Sequence, residues 1–186
     1  MTTHQMLTDV LRREGWPRVT DHPADRGGLT KGGVTFKNYN AWRLEQGQAA
    51  VTVDQFMRLN ETEARAFFAE ALFKPFDFVT DERTRVFLTD WSVTSGPDDP
   101  TKALQVCLFS LRLYTGALDG VTGPKTRAAW KLLTDPSVIY SELLQARSDF
   151  YFRLAFGADV KAFLQSHPAS QLTNLHGWIR RNMEFV

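Results

Sequence analysis

A single cysteine, Cys107, is all the chain contains, so no intramolecular disulfide can form and the protein folds without oxidation. Charge of one sign is lacking as well: 22 Lys and Arg stand against 21 Asp and Glu, a formal net charge of +1. A chain that coats nucleic acid carries a basic stripe or a strong basic excess, and neither is present, so nucleic acid is excluded as the partner. The same balance gives little long-range steering. A polymeric partner must therefore be found through a shaped cleft and stacking rings.

Long apolar runs are missing too. Residues 1–13 are polar and acquire no apolar core of signal-peptide length, and no stretch reaches the length that spans a bilayer. The expectation is a protein made and folded in the cytoplasm without membrane insertion. If its target lies outside, another agent must carry or release it. The four histidines, His4, His22, His167 and His176, are scattered without metal-ligand spacing, which argues against a zinc amidase. Gly27-Gly28 and Gly32-Gly33 are not followed by Lys-Ser or Lys-Thr, and no GxGxxG occurs, so a phosphate loop is set aside. No internal repeat and no low-complexity segment is present.

What is present is helical periodicity almost throughout. Thr2 or Thr3 can cap a first helix with apolar Leu7, Val10 and Leu11, stopped by Gly15 and Pro17. The segment 20–51 is rich in Gly, Asp, Thr and Asn, with a short helix around Tyr39 to Gln46. Leu29-Thr30 and Val34-Thr35-Phe36, separated by Lys31-Gly32-Gly33, suit a small hairpin. Asn60 with Glu63 reads as a capping box before an apolar face of Ala64, Phe67, Phe68, Ala71 and Leu72. Further helices are expected from Thr80 or Asp81 to about Ser95, from Thr101 to Leu113, from Pro124 onward, from Asp135-Pro136 to about Phe156, and from about Gln171 to Met183. The natural seam is the Gly, Pro and Asp cluster at 95–100, which divides the chain into 1–95 and 96–186, either as two lobes or packed as one globular unit.

Glu14 continues the spacing of Leu7, Val10 and Leu11 and ends the first helix. Burial and the negative end of the helix dipole would both raise its pKa. A carboxyl protonated near neutrality is what glycosidic bond cleavage needs, since the leaving oxygen must take a proton. Asp21 and Asp25 flank the Gly-rich loop that follows, and either carboxylate, with the Thr30 hydroxyl, could hold a water. Arg26 could instead neutralise one of them. A glutamate before a helix-ending glycine is also ordinary chain chemistry, as is Asp beside Gly in a turn. Trp16, Tyr39 and Trp42 are the candidates for stacking on a sugar face, with core packing the competing role, most of all for Trp42. Trp91, Trp130 and Trp178 fall on predicted helices and are read as core. Cys107 lies among Leu104, Val106, Leu108 and Leu111, which fits a buried thiol better than the nucleophile of a cysteine peptidase.

Arg13-Glu14-Gly15-Trp16, the run from Asp21 to Thr30, and Gly33-Val34-Thr35 together resemble the N-terminal signature of glycoside hydrolase family 108. The resemblance continues in Asp90-Trp91-Ser92-Val93-Thr94-Ser95-Gly96-Pro97, in Leu104-Gln105 and in Gly177-Trp178-Ile179-Arg180-Arg181. It implies an N-acetylmuramidase with Glu14 as catalytic acid. The series Glu14, Asp25, Thr30 is also similar to the Glu, Asp, Thr order of phage-type lysozymes. The chain departs from the family pattern at Trp16, where a second glycine and an aromatic are usual, at His22, and at Thr94, where Asn is usual. Further on, the stretch from Leu118 to Trp130 resembles small helical peptidoglycan-binding modules, with Asp119-Gly120 making the turn, Pro124 starting a helix and Thr126 tying the loop to it. That stretch could anchor the protein on the wall or merely pack the C-terminal helices.

The reading is a mainly α-helical, lysozyme-like fold with a small β-hairpin at the cleft. Its implied activity is hydrolysis of the β-1,4 bond between N-acetylmuramic acid and N-acetylglucosamine, as in an endolysin, by a monomer that needs no cofactor or metal. A non-catalytic wall-binding or secretion-associated protein and a lytic transglycosylase are the alternatives.

Overall fold

The computed structural model describes residues 3–21, 28–156 and 183–185. The chain divides into two compact units, Met1–Pro97 and Asp98–Val186. Both are built mainly of helices, and the first also carries a small antiparallel sheet, in line with the fold class read from the periodicity.

In the first unit, α1 (Thr3–Arg13) buries Met6, Leu7, Val10 and Leu11, positions three and four apart on one face. It closes in a Schellman geometry: the Trp16 amide donates to the Leu11 carbonyl (2.9 Å) and the Gly15 amide to that of Arg12 (3.2 Å). Closing the helix this way demands a left-handed residue after the cap, and Gly15 supplies it at φ 71°. Glu14 is thereby the C-cap of α1.

The chain then forms β1 (Val19–Thr20), β2 (Thr30–Lys31) and β3 (Val34–Thr35), paired antiparallel in that order. The registers Val19↔Lys31, Lys31↔Val34 and Thr20↔Thr30, Thr30↔Thr35 put Val19, Lys31 and Val34 in one row and three threonines in the other. Val34 is fully buried and joins the core. The hairpin of β2 and β3 was expected, whereas β1 was not, since a two-residue strand is too short to show alternation.

Thr35 caps α2 (Phe36–Glu45) by accepting from the Asn38 amide, so the helix starts three residues before the expected Tyr39. A capping box of Thr52 and Gln55 starts the short α3 (Val53–Met57), and one of Asn60 and Glu63 starts α4 (Glu61–Phe67). Helix α4 runs on into a π-helical turn, Phe68–Phe73, which widens the apolar face so that Phe68, Leu72 and Phe73 all turn inward. Asp81 caps α5 (Glu82–Ser95), whose buried side includes Phe87, Leu88, Asp90 and Trp91.

The second unit comprises α6 (Asp98–Ser110), α7 (Pro124–Lys131) and α8 (Ser137–Phe156). Helix α6 begins three residues earlier than Thr101, since Asp98 and Asp99 suit a first turn and proline is tolerated there. Pro124 stands at the start of α7 as expected, and Trp91 and Trp130 are both core residues. The final helix expected at 171–183, with Trp178, falls almost wholly outside the described residues. No described helix is long and apolar enough to cross a membrane.

Candidate active site

The C-cap position sets the surroundings of Glu14. Instead of continuing the buried stripe of α1, as its spacing had indicated, Glu14 is half-buried, because the turn at Gly15 takes the chain off the helix. The β2–β3 turn covers it. A Cβ added at Gly33 would stand 2.6 Å from Glu14 Cγ and 2.8 Å from its Cβ, and Gly33 is itself left-handed at φ 82°. A Cβ at Gly32 would run into the Trp16 ring and stand 3.1 Å from Trp16 Cα. Only glycine at both positions lets the hairpin lie flat on the turn that carries the carboxylate. The Gly32 amide fastens the two together by donating to the Arg18 carbonyl (2.8 Å).

From the other side, Arg13 anchors the end of α1 to α5. Its Nη1 lies 3.2 Å from Oδ1 of Asp90, a carboxylate only 6% exposed. A buried charge is stable only with such a partner, so this ion pair fixes the end of the helix that presents Glu14. Lys31 reaches away from the hairpin: Nζ donates to the carbonyls of Met57 (2.6 Å) and Leu59 (2.8 Å) and sits 5.6 Å from the Trp16 ring centre.

Thr30 lies in the middle strand, half-buried, and its hydroxyl donates to the Gly28 carbonyl (2.9 Å). With the proton so used, its oxygen can accept from a water or a sugar hydroxyl. Asp21 is exposed and directly follows Thr20, the cross-strand partner of Thr30. Asp25 and Arg26 lie outside the described residues. Glu14 and Trp16 are thus gathered under the Gly32-Gly33 turn, with Thr30 two residues before that turn begins.

Two of the three stacking candidates pack with the aromatic residues of the core, Tyr39 within it and Trp42 against it. Tyr39 is 3% exposed, and its ring meets Trp42, Phe56 and Phe67 at centroid distances of 5.6, 5.9 and 5.9 Å. A pyranose has no face of Tyr39 to lie on, and the sugar-stacking role expected of it is corrected to core packing. Trp42 packs edge-on against Phe67 beside the same cluster, its indole Nε1 buried without a hydrogen-bond partner. Trp16 alone combines partial exposure with a place beside Glu14. The glycine cover, Lys31 and the Arg13–Asp90 pair escaped the sequence reading as site features. Gly33 and Asp90 stood within the motif segments, while Lys31 carried no signal at all.

In the second unit the loop from Tyr114 to Thr126 is organised by one fully buried side chain, Gln105. Its Nε2 donates to Asp119 Oδ1 (2.9 Å), the Val121 carbonyl (3.1 Å) and Thr126 Oγ1 (3.2 Å), and its Oε1 accepts from the Gly120 amide (3.0 Å). Thr126 ties the loop to α7 by donating to the Val121 carbonyl (3.2 Å). Asp119 also accepts from the Val121 amide, and these bonds, led by that from Gln105, hold its carboxyl below the ordinary aspartate value. Cys107 is buried, and burial above all pushes its thiol up to about 11, leaving no thiolate near neutrality for nucleophilic attack. Among the described residues no cluster of His, Cys, Asp and Glu could hold a metal ion.

Residues 7–96 match the family Glycosyl hydrolase 108, and residues 99–183 match the family Predicted Peptidoglycan domain. Residues 7–96 thus form a glycosyl hydrolase 108 domain and residues 99–183 a peptidoglycan-binding-type domain, a pairing that indicates a peptidoglycan hydrolase. Among solved structures the chain is similar to SagA of Brucella abortus, at a TM-score of 0.68 and 23% identity, over 98% of this chain and 94% of that one. That likeness establishes the mainly α, lysozyme-like fold. Comparison with curated proteins gives no match.

Proposed function

We propose that the protein is an N-acetylmuramidase that hydrolyses the β-1,4 bond between N-acetylmuramic acid and N-acetylglucosamine, with Glu14 as general acid. The observation that carries this reading is the seat of Glu14: a half-buried carboxyl, capped by the Schellman turn and covered by Gly33, within the segment that matches the glycosidase family. Glu14 protonates the leaving glycosidic oxygen as the bond breaks. A water held by the acceptor oxygen of Thr30 and by a carboxylate, Asp25 or Asp21, attacks the anomeric carbon. A wide separation of the two carboxyls, on the order of 6.5–9.5 Å, leaves room for that water and inverts the centre. A close pair, about 5–5.5 Å apart, would mean retention. Trp16 offers a ring face to the sugar beside Glu14, and the C-terminal domain holds the enzyme on its polymer.

The protein acts as a monomer without cofactor, is made in the cytoplasm, and reaches the wall after release, as an endolysin does. Its working division is a catalytic region, 1–95, and a wall-binding region, 96–186.

Purified peptidoglycan digested by the wild type and by Glu14→Gln, with products read by mass spectrometry, tests the proposal. Reducing N-acetylmuramic ends from the wild type and none from the variant are expected. Anhydro-ends would replace hydrolysis by transglycosylation. Equal cutting by the variant would remove Glu14 from the chemistry, and binding without cutting by both proteins would leave a wall-binding protein.

A further inference from the structure

Lys31, half-buried in β2, is spent on a task that its strand does not require. It sits in β2 next to Thr30, yet its ammonium leaves the sheet and takes two carbonyls of another element, Met57 at 2.6 Å and Leu59 at 2.8 Å. Both lie at or just past the end of α3, where the last carbonyls have no amide within their own helix to accept from. Its charge also stands 5.6 Å from the ring centre of Trp16, an attractive placement over the face of an indole. One side chain therefore joins three parts of the first unit: the hairpin, the end of α3, and the turn after α1. A half-buried lysine on a strand usually extends its charge into water, so ordering this long side chain needs compensation by the bonds it makes.

The hairpin so fastened is the one that covers the carboxylate. Gly32 and Gly33 follow Lys31 directly, and their backbone lies against Trp16 and against Cβ, Cγ and Oε2 of Glu14. Besides the β1–β2 pairing and the buried Val34, the hairpin is held on that turn by the bond from the Gly32 amide to the Arg18 carbonyl. Two-residue strands alone are a weak hold, since a hairpin of this length is marginal without packing.

We infer that Lys31 is a positioning residue for the glycosidase reaction: its ammonium ties the hairpin to the carbonyls after α3 and so keeps Gly33 seated against the Glu14 side chain. The inference rests on Glu14 being the general acid. Proton delivery to the glycosidic oxygen depends on where the carboxyl stands, and a shift of about 1 Å can cost on the order of a hundredfold in rate. Released from Lys31, the hairpin rises, and Glu14 gains rotamers that point away from the scissile bond.

The full-length protein is assayed on solubilised, uncrosslinked peptidoglycan glycan strands as wild type, Lys31→Met, Lys31→Arg, Gly33→Ala and Glu14→Gln. Lys31→Met keeps the apolar stem and loses the donor. It is expected to lower kcat about ten- to a hundredfold with KM within about twofold of wild type, while circular dichroism shows it folded at the assay temperature. Lys31→Arg restores donors and recovers most of the rate. Gly33→Ala, which displaces the same carboxyl from above, lowers kcat with Lys31 in place, and combined with Lys31→Met it adds less than a second full loss. Amide exchange at Gly32 quickens in Lys31→Met while exchange in α5 does not.

An unchanged kcat in Lys31→Met, a change in KM alone, or a loss that follows the unfolded fraction would each overturn the inference. If Glu14→Gln is inactive and Lys31→Met is fully active, the positioning role falls and the muramidase reading stands. If Glu14→Gln is as active as the wild type, both fall.

Discussion

The two units handle a polar group at the heart of a loop in opposite ways. In the second, Gln105 is wholly buried and its amide meets Asp119, Gly120, Val121 and Thr126 at once. Such a network rigidifies the loop and leaves the central side chain no capacity for a ligand. In the first, Glu14 stays half-exposed, and the loop over it is made of glycines that approach its side chain without a Cβ between them. There the neighbours of the group are anchored, through Arg13 on Asp90 and Lys31 on Met57 and Leu59. The comparison separates two kinds of polar residue that look alike in a sequence. One completes a scaffold, and the other is held within a scaffold and stays partly open to solvent.

Each half of that comparison can be broken by substitution. The largest effect on stability is expected at Tyr39, whose reassignment from sugar contact to core rests on its burial among Trp42, Phe56 and Phe67. Tyr39→Ala should lower the free energy of unfolding by about 3–5 kcal/mol, as measured by denaturant titration. A variant of near wild-type stability with a raised KM would return Tyr39 to the sugar site. Next comes Gln105→Ala, which strands the buried Gly120 amide and frees the Asp119 and Thr126 side chains. A loss of about 2–3 kcal/mol is expected, confined to the second unit in hydrogen exchange, with hydrolysis of soluble glycan strands unaffected. A fall in that hydrolysis out of proportion to unfolding would mean that Gln105 is more than scaffold.

The smallest effect is a pH dependence. Asp119 has its carboxyl held below the ordinary value of 3.8, first by Gln105 and then by the Val121 amide. A depressed folded pKa gives stability that is present above the unfolded value and is lost as the pH falls through the folded one. Between about pH 5 and about pH 3 the second unit should therefore lose stability more steeply in the wild type than in Asp119→Asn. Parallel slopes would show that the loop tolerates a neutral Asp119 without cost.

Much of the fold was legible because it rests on spacing and caps. Leu7, Val10 and Leu11 announced α1, Asn60 with Glu63 announced α4, and Pro124 announced α7. What escaped was set by tertiary contact or by very short elements. The strand Val19–Thr20 and the helix Val53–Met57 are too short for a period, and the π-helical turn at Phe68–Phe73 reads as ordinary helix. At the site, the motif marked Glu14 and its glycines, but its degree of burial depended on the Schellman closure, which the helical period ignores. Tyr39 looked like a surface ring only because its neighbours in sequence are polar, while its neighbours in space are Phe56 and Phe67. Lys31 could not be read at all, since its partners stand 26 and 28 residues away.

The most direct test of the central claim is one incubation of purified wall sacculi with Glu14→Gln, in which pelleted protein and released glycan are measured together. Glu14→Gln is expected to sediment with the wall as the wild type does and to release no soluble glycan fragments. Fragments released by the variant at the wild-type rate would contradict the claim, and the chemistry would have to be sought at another residue.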